Sequence, residues 1–256
     1  MFLNFRTKII GLVVLLVLAG VGTFAFASHS WGPYHWARTA NPFTLKLGDN
    51  VSSAWDAYLA EASADWSLSS VLDTTVVAGQ SNIKTCKPTA GRVEVCNRKY
   101  GFNGWLGVAS IWVSGSHITQ GTVKLNDSYF NTSTYNTPPW RRLVMCQEVA
   151  HTFGLDHQDE DFTNPNLGSC MDYTRDPDGP PSNEHPNTHD YKQLELIYSH
   201  LDSITTIANK VANIGNHNNA DEWGKSIRKD NKGKTSLHER DLGNGEKLFT
   251  FVLWTE

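Results

Sequence analysis

From Val144 to Glu160 the chain reads VMCQEVAHTFGLDHQDE, and several of its side chains have the types and spacing to hold a metal ion. Gln147 and His151 are four residues apart, which on a helix stacks them on one face. Glu148 projects about 100° round the same helix, near enough to reach a water beside the ion without being a ligand. Gly154 is suited to the left-handed conformation that ends a helix and turns the chain back. His157 would then come round as a third ligand. A single histidine is most often structural, but Glu148, His151, Gly154 and His157 in register point to one centre. The chemistry open to it is hydrolysis by a metal-activated water, with Glu148 as general base.

The stretch QEVAHTFGLDH resembles the metzincin signature H-E-x-x-H-x-x-G-x-x-H at every defined position except the first, and its GLDH ending is similar to the matrixin branch. That clan also carries a methionine turn beneath the metal, and GSCMDY supplies Met171 fourteen residues after His157. The resemblance implies a secreted Zn2+-dependent endopeptidase acting on protein or peptide substrates. It implies His151, His157 and Gln147 at the metal, and Glu148 as the base. The M-x-Y spacing of Met171 and Tyr173 is similar to astacins and serralysins, where the tyrosine approaches the zinc. By that resemblance Tyr173 joins the catalytic set and donates to an oxyanion. The other reading packs it in the wall of the specificity pocket, and both stand.

Gln147 is the departure. An amide offers only its carbonyl oxygen, a harder and weaker donor to zinc than a neutral imidazole. It either ligates through that oxygen, or Tyr173 or a nearby histidine completes the coordination, or the metal is lost. In the last case the chain is a catalytically inactive metzincin-like domain that binds peptides or surfaces. Retention of Glu148, His151, His157 and Met171 together favours the working enzyme.

The elements that must position these residues follow from periodicity. FTLKLG alternates as a strand, Asp49-Asn50 offers a helix cap, and Val51, Trp55, Leu59, Ala62 and Trp66 recur at helical spacing. VLDTTVVAG, Trp105–Val113 and Gly121–Phe130 read as strands. Thr137-Pro138 starts the helix that carries the site, spanning about 139–153, and a last helix spans about 188–201. By the resemblance, GWLGVASIWVS is the strand that lines the cleft and pairs with an extended substrate. His117, just after it, is either a surface residue or a ligand of a structural ion.

The fold class expected is α+β: a metzincin-like catalytic domain of twisted mixed sheet, active-site helix, Met-turn and C-terminal helix, with a small β appendage. The domains expected are a signal peptide at 1–27, the metallopeptidase domain at 28–202, and a linker with the appendage at 203–256. Three short strands joined by Asn-Lys-Gly and Gly-Asn-Gly turns make up that appendage. A more distant reading gives it the function, as a carbohydrate or surface anchor.

The 256 residues carry a formal charge of -4 and no basic run beyond Arg141-Arg142, which argues against nucleic acid as a partner. Arg6 and Lys8 precede an apolar run from Ile9 to Ala27 that ends Ala-Phe-Ala, the pattern of a cleaved export signal. Cleavage would leave a secreted, extracellular chain with no stable membrane association; an uncleaved run would anchor it N-terminally. No cysteine lies between Ser28 and the domain, so latency through a propeptide cysteine is not expected. Export makes the four cysteines candidates for disulfides. Cys86 and Cys96 bracket a tight loop with Pro88 and Gly91, whereas Cys146 and Cys170 either pair or stay small buried thiols. Asp159, Glu160 and Asp161, with Asn164 and Asn166, would suit Ca2+ by ligand type, but their spacing fits a solvated acidic turn better. Asn126 and Asn131 lie in glycosylation acceptor triplets.

Overall fold

A computed structural model of the chain describes residues 29–207 and 220–256. The expected signal segment, and part of the Asn-rich stretch after Asp202, lie outside the described residues. The strands are β1 (His35–Trp36), β2 (Phe43–Asn50), β3 (Leu72–Ala78), β4 (Val93–Arg98), β5 (Trp105–Ser114), β6 (His117–Asn126), β7 (Lys225–Lys229), β8 (Thr235–Gly243) and β9 (Glu246–Trp254). The α-helices are α1 (Asp56–Trp66), α2 (Asp127–Phe130), α3 (Pro138–His151) and α4 (Thr188–Ile197). The strands form one mixed sheet in the order β3-β2-β4-β6-β5-β9-β8-β7, with β1 paired to β6. β2, β3, β4 and β6 run parallel, and β5 begins the antiparallel half.

The mixed sheet with α3 packed against α1, β5 and β6 is an α+β architecture. Three local details depart from the sequence reading. Asp49-Asn50 does not cap α1, because β2 runs on to Asn50, whose Nδ2 donates to Glu94 Oε2 at 2.6 Å; α1 starts at Asp56 instead. β4 was not expected, since VEVCNR lies between β2 and β6 with both faces buried and shows no clean alternation. DSYF does not extend β6 but turns into α2, where the fully buried Asn126 accepts from Ser128 N at 3.1 Å. That burial removes Asn126 as a glycan acceptor, while Asn131 is exposed.

α3 has proline in its first turn as expected, although Thr137 makes no side-chain cap. Almost every residue of α3 beyond Trp140 is buried, because α1 and the sheet enclose it from two sides. It ends at His151, and Gly154 follows at φ +101°, where a Cβ would lie 2.7 Å from the Tyr34 carbonyl oxygen. Only glycine fits that reversal. The segment from Gln158 to Asn187 runs without helix or strand until the Asn187–Asp190 capping box opens α4.

Both cystines form, Cys86–Cys96 and Cys146–Cys170. They suit an oxidising compartment. Among the described residues, no helix is long and apolar enough to cross a membrane.

The largest departure concerns the C-terminal strands. All three occur, with turns at Gly233 and at Asn244-Gly245, and they continue the main sheet rather than standing apart from it. β9 pairs antiparallel with β5 from Trp105–Trp254 to Ser114–Glu246, and β8 and β7 follow outward. Leu237, Phe249, Phe251 and Leu253 belong to the same core cluster as Val144, Val149 and Met171. LFTFVLW, buried through six consecutive positions of β9, has the near-continuous apolar character of a strand covered on both faces.

Candidate metal centre

Two imidazoles meet at the end of α3. His151 Nε2 lies 2.9 Å from His157 Nε2. The other nitrogen of each ring is already committed: His151 Nδ1–H donates to the Leu155 carbonyl at 2.9 Å, and His157 Nδ1–H to Glu160 Oε1 at 2.7 Å. In the neutral rings both Nε2 atoms therefore carry lone pairs aimed at each other. Such a pair repels unless a cation shares it. Burial pushes the His151 pKa well below the ordinary range, with neighbouring His157 adding to it. Burial and then Arg228 push His157 down to about 3. Both rings are thus held neutral, the form a metal ion takes.

Around them lie polar atoms with no hydrogen-bond partner. Gln147 Oε1 and Nε2 and the Tyr173 hydroxyl are buried and unpaired, and the buried Glu148 carboxylate has only the Ala109 backbone amide beside it. Leaving such groups unmade costs about 1–3 kcal/mol each, more for a charge. Burial raises the Glu148 pKa well above the carboxylate range, opposed in part by the backbone amide of Ala109. Gly107 of β5 makes room for that carboxylate, since a Cβ there would sit 2.4 Å from Glu148 Oε1. Two convergent imidazole lone pairs fit a divalent cation. His151 and His157 would hold zinc directly, with Gln147 Oε1 the donor one turn back along α3.

The second motif reaches the same place. Tyr173 lies with its ring 4.6 Å from that of His157. Met171 is fully buried, its carbonyl accepting from Gln158 N at 2.7 Å and its amide donating to Ser169 Oγ at 2.9 Å. The Cys146–Cys170 bridge joins the residue before Gln147 to the residue before Met171, so one covalent link sets both strips side by side.

Several site residues were not expected. Phe251 of β9 lies flat on His151, with centroids 3.9 Å apart and planes 10° apart. Arg228 of β7 reaches across the site, pairing with Asp156 Oδ2 and with Glu160 Oε1, the latter at 2.9 Å. Ser236 of β8 donates to Glu160 Oε2 at 3.0 Å. Glu160 is therefore a brace for His157 rather than a member of a calcium loop. Asp161 Oδ1 accepts from Thr163 and Asn231, and Asn166 Nδ2 donates to the Asp176 and Gly179 carbonyls, so this turn is spent on internal bonds and calcium is not supported. β5 does not present the open edge that pairing with a substrate needs, because β6 takes one side and β9 the other.

No family model matches the chain, and comparison with curated proteins finds no relative. Among solved structures the chain is similar to high choriolytic enzyme 1, a hatching-enzyme zinc-protease from the medaka fish Oryzias latipes. That likeness has 12% identity and a TM-score of 0.37, over 64% of this chain and 94% of that one.

Proposed function

We propose that the chain is a secreted zinc-dependent endopeptidase of metzincin type, closed by its own C-terminal strands in the conformation described. The observation that carries this reading is the facing pair of His151 and His157 Nε2 atoms, each ring locked from behind, with the buried Glu148 and the unpaired Gln147 and Tyr173 on the same strips of chain. Zinc bound there would act as a Lewis acid toward a peptide carbonyl and make a water acidic enough to deprotonate near neutral pH. Glu148 takes that proton on a carboxylate oxygen and returns it to the leaving amine, a role its raised proton affinity suits. Tyr173 keeps its phenolic proton, since burial raises its pKa well above 10, and donates to the oxyanion that develops on the carbonyl. β5 offers the backbone edge for an extended peptide once β9 is displaced.

The second reading is a non-catalytic domain, favoured by Gln147 in place of the expected imidazole and by β9 seated on β5. One set of measurements separates the two. Zinc is counted in the dialysed chain and in the His151→Ala variant, then hydrolysis of an unfolded protein substrate is followed in Arg228→Ala, which removes the ion pairs of β7 with Asp156 and Glu160. Zinc lost with His151 and cleavage that disappears in Arg228→Ala/Glu148→Ala support the peptidase. Zinc bound without cleavage selects the binding domain. No His151-dependent zinc overturns both roles for the metal.

A further inference from the structure

A second convergence of imidazoles lies away from this centre, where β1, the start of β6 and the segment after α4 come together. We propose that His35, His200 and Asp202 form a separate zinc site, its fourth position open to water. His200 Nε2 is 3.2 Å from His35 Nε2, and Asp202 Oδ1 lies 3.4 Å from His35 Nε2, 3.3 Å from His117 Nε2 and 3.7 Å from His200 Nε2. Ligands at 2.0–2.1 Å from a tetrahedral zinc stand about 3.3 Å from one another. The mutual spacing of His35, His200 and Asp202 is close to that of one face of such a tetrahedron.

The partners behind these atoms point the same way. His35 is buried, and its Nδ1–H donates to the Pro33 carbonyl at 2.9 Å, which leaves the Nε2 lone pair of the neutral ring facing His200 and Asp202. Asp202 Oδ2 is anchored by the Arg38 backbone amide at 3.2 Å and by Arg38 Nη1 at 3.0 Å, so Oδ1 alone is turned to the imidazoles. The His117 and His200 rings stand nearly perpendicular to His35, at 88° and 84°, with centroids 5.0 and 4.7 Å away. Two imidazoles and one carboxylate, with a water in the fourth position, are a donor set that zinc accepts readily.

The other groupings of this kind are already spent. Asp156, His157 and Glu160 are closed by Arg228, and Asp190, near His29 and His189, accepts from Gln158, Ser169 and Asn187. A metal at His35 would instead cross-link distant parts of the chain, tying β1 to the segment after α4. Its contribution is to stability, because it binds only the folded chain.

Zinc alone is the probe, titrated into the full chain after dialysis against chelator, with stoichiometry by elemental mass spectrometry and a melting curve beside each sample. His200 is 55% exposed at its side chain, so His200→Ala leaves the packing in place. The chain binds one zinc more than His200→Ala does, and zinc raises the melting temperature of His151→Ala but not of His151→Ala/His200→Ala. Cobalt in His151→Ala gives the visible absorption of a tetrahedral ion, which is lost with Asp202→Asn. Equal zinc content in the full chain and His200→Ala overturns the site, as does a folded His151→Ala that takes up no zinc. Because the two centres are removed by different substitutions, failure at one is read separately from failure at the other.

Discussion

Phe251 lies on His151 like a lid on a seat, one ring parallel to the other at 3.9 Å. The phenyl group comes from β9 and the imidazole from the last turn of α3, so a residue of the candidate centre and the C-terminal strands share one contact. With Arg228 gripping Asp156 and Glu160 beside it, the centre is enclosed by side chains that β7, β8 and β9 deliver together.

Phe251→Ala removes the lid. The loss of a buried phenyl costs about 3–5 kcal/mol, seen as a lower midpoint in denaturant. His151 becomes reachable, so acylation of imidazole by diethyl pyrocarbonate speeds up at that residue, followed by peptide mass spectrometry. An unchanged rate at His151 would mean something other than Phe251 excludes the reagent.

Gln147→His restores an imidazole one turn before His151. If His151 and His157 already share a zinc ion, the third nitrogen tightens binding by about tenfold or more, measured by competition with a chromophoric chelator. Unaltered affinity would place Gln147 outside the coordination sphere.

Acid acts on the two histidines in a defined direction. The folded metal-free chain holds His157 near 3 and His151 well below its ordinary value, while the unfolded chain protonates both below about 6.5. Stability from these groups is therefore full above about pH 6.5 and falls as the pH drops toward 3. Glu148, and Asp172, raised to about 6 by burial, run the opposite way because the folded chain keeps their protons longer. Comparison with His157→Gln isolates one imidazole: relative to that variant, the native chain loses about 1.4 kcal/mol for each pH unit below 6.5. Parallel stability curves for the two chains would show that His157 is free to take up a proton in the fold.

The Cys146–Cys170 bridge spans 24 residues that include both halves of the metal-binding motif. Replacing both cysteines by alanine lowers stability by ~3 kcal/mol on the loop-entropy scale. It also loosens Met171 and Tyr173 against α3, so zinc affinity falls with it. Stability lost without any change in zinc affinity would show that packing alone aligns the two motifs.

Much of the site was legible because its signals are local. Gln147, Glu148 and His151 lie on one helix, Gly154 marks the turn, and the structure brings His157, Met171 and Tyr173 to that helix end in the order the motifs suggest. Long-range relations were not legible. Nothing in KSIRK marks Arg228 as the partner of Asp156 and Glu160, and a strand register between β5 and β9 leaves no trace within either segment. One clue was present: LFTFVLW has too little alternation for an exposed hairpin. The same limit hid β4 and the meeting of His35 with His200, which depends on where β1 and the end of α4 happen to lie.

The β5–β9 ladder pairs Trp105 with Trp254, whereas β7, β8 and β9 join one another through short turns. The long pairing must repay the entropy of closing a loop of more than a hundred residues, and the short ones cost little. The three-stranded meander can therefore form early and dock late, and it can come away as one cooperative unit while the parallel half of the sheet stays whole. Amide protons of β8 and β9 would then exchange together, at a lower free energy than those of β4 and β6, and the rate of that opening would set how often the centre meets the solvent.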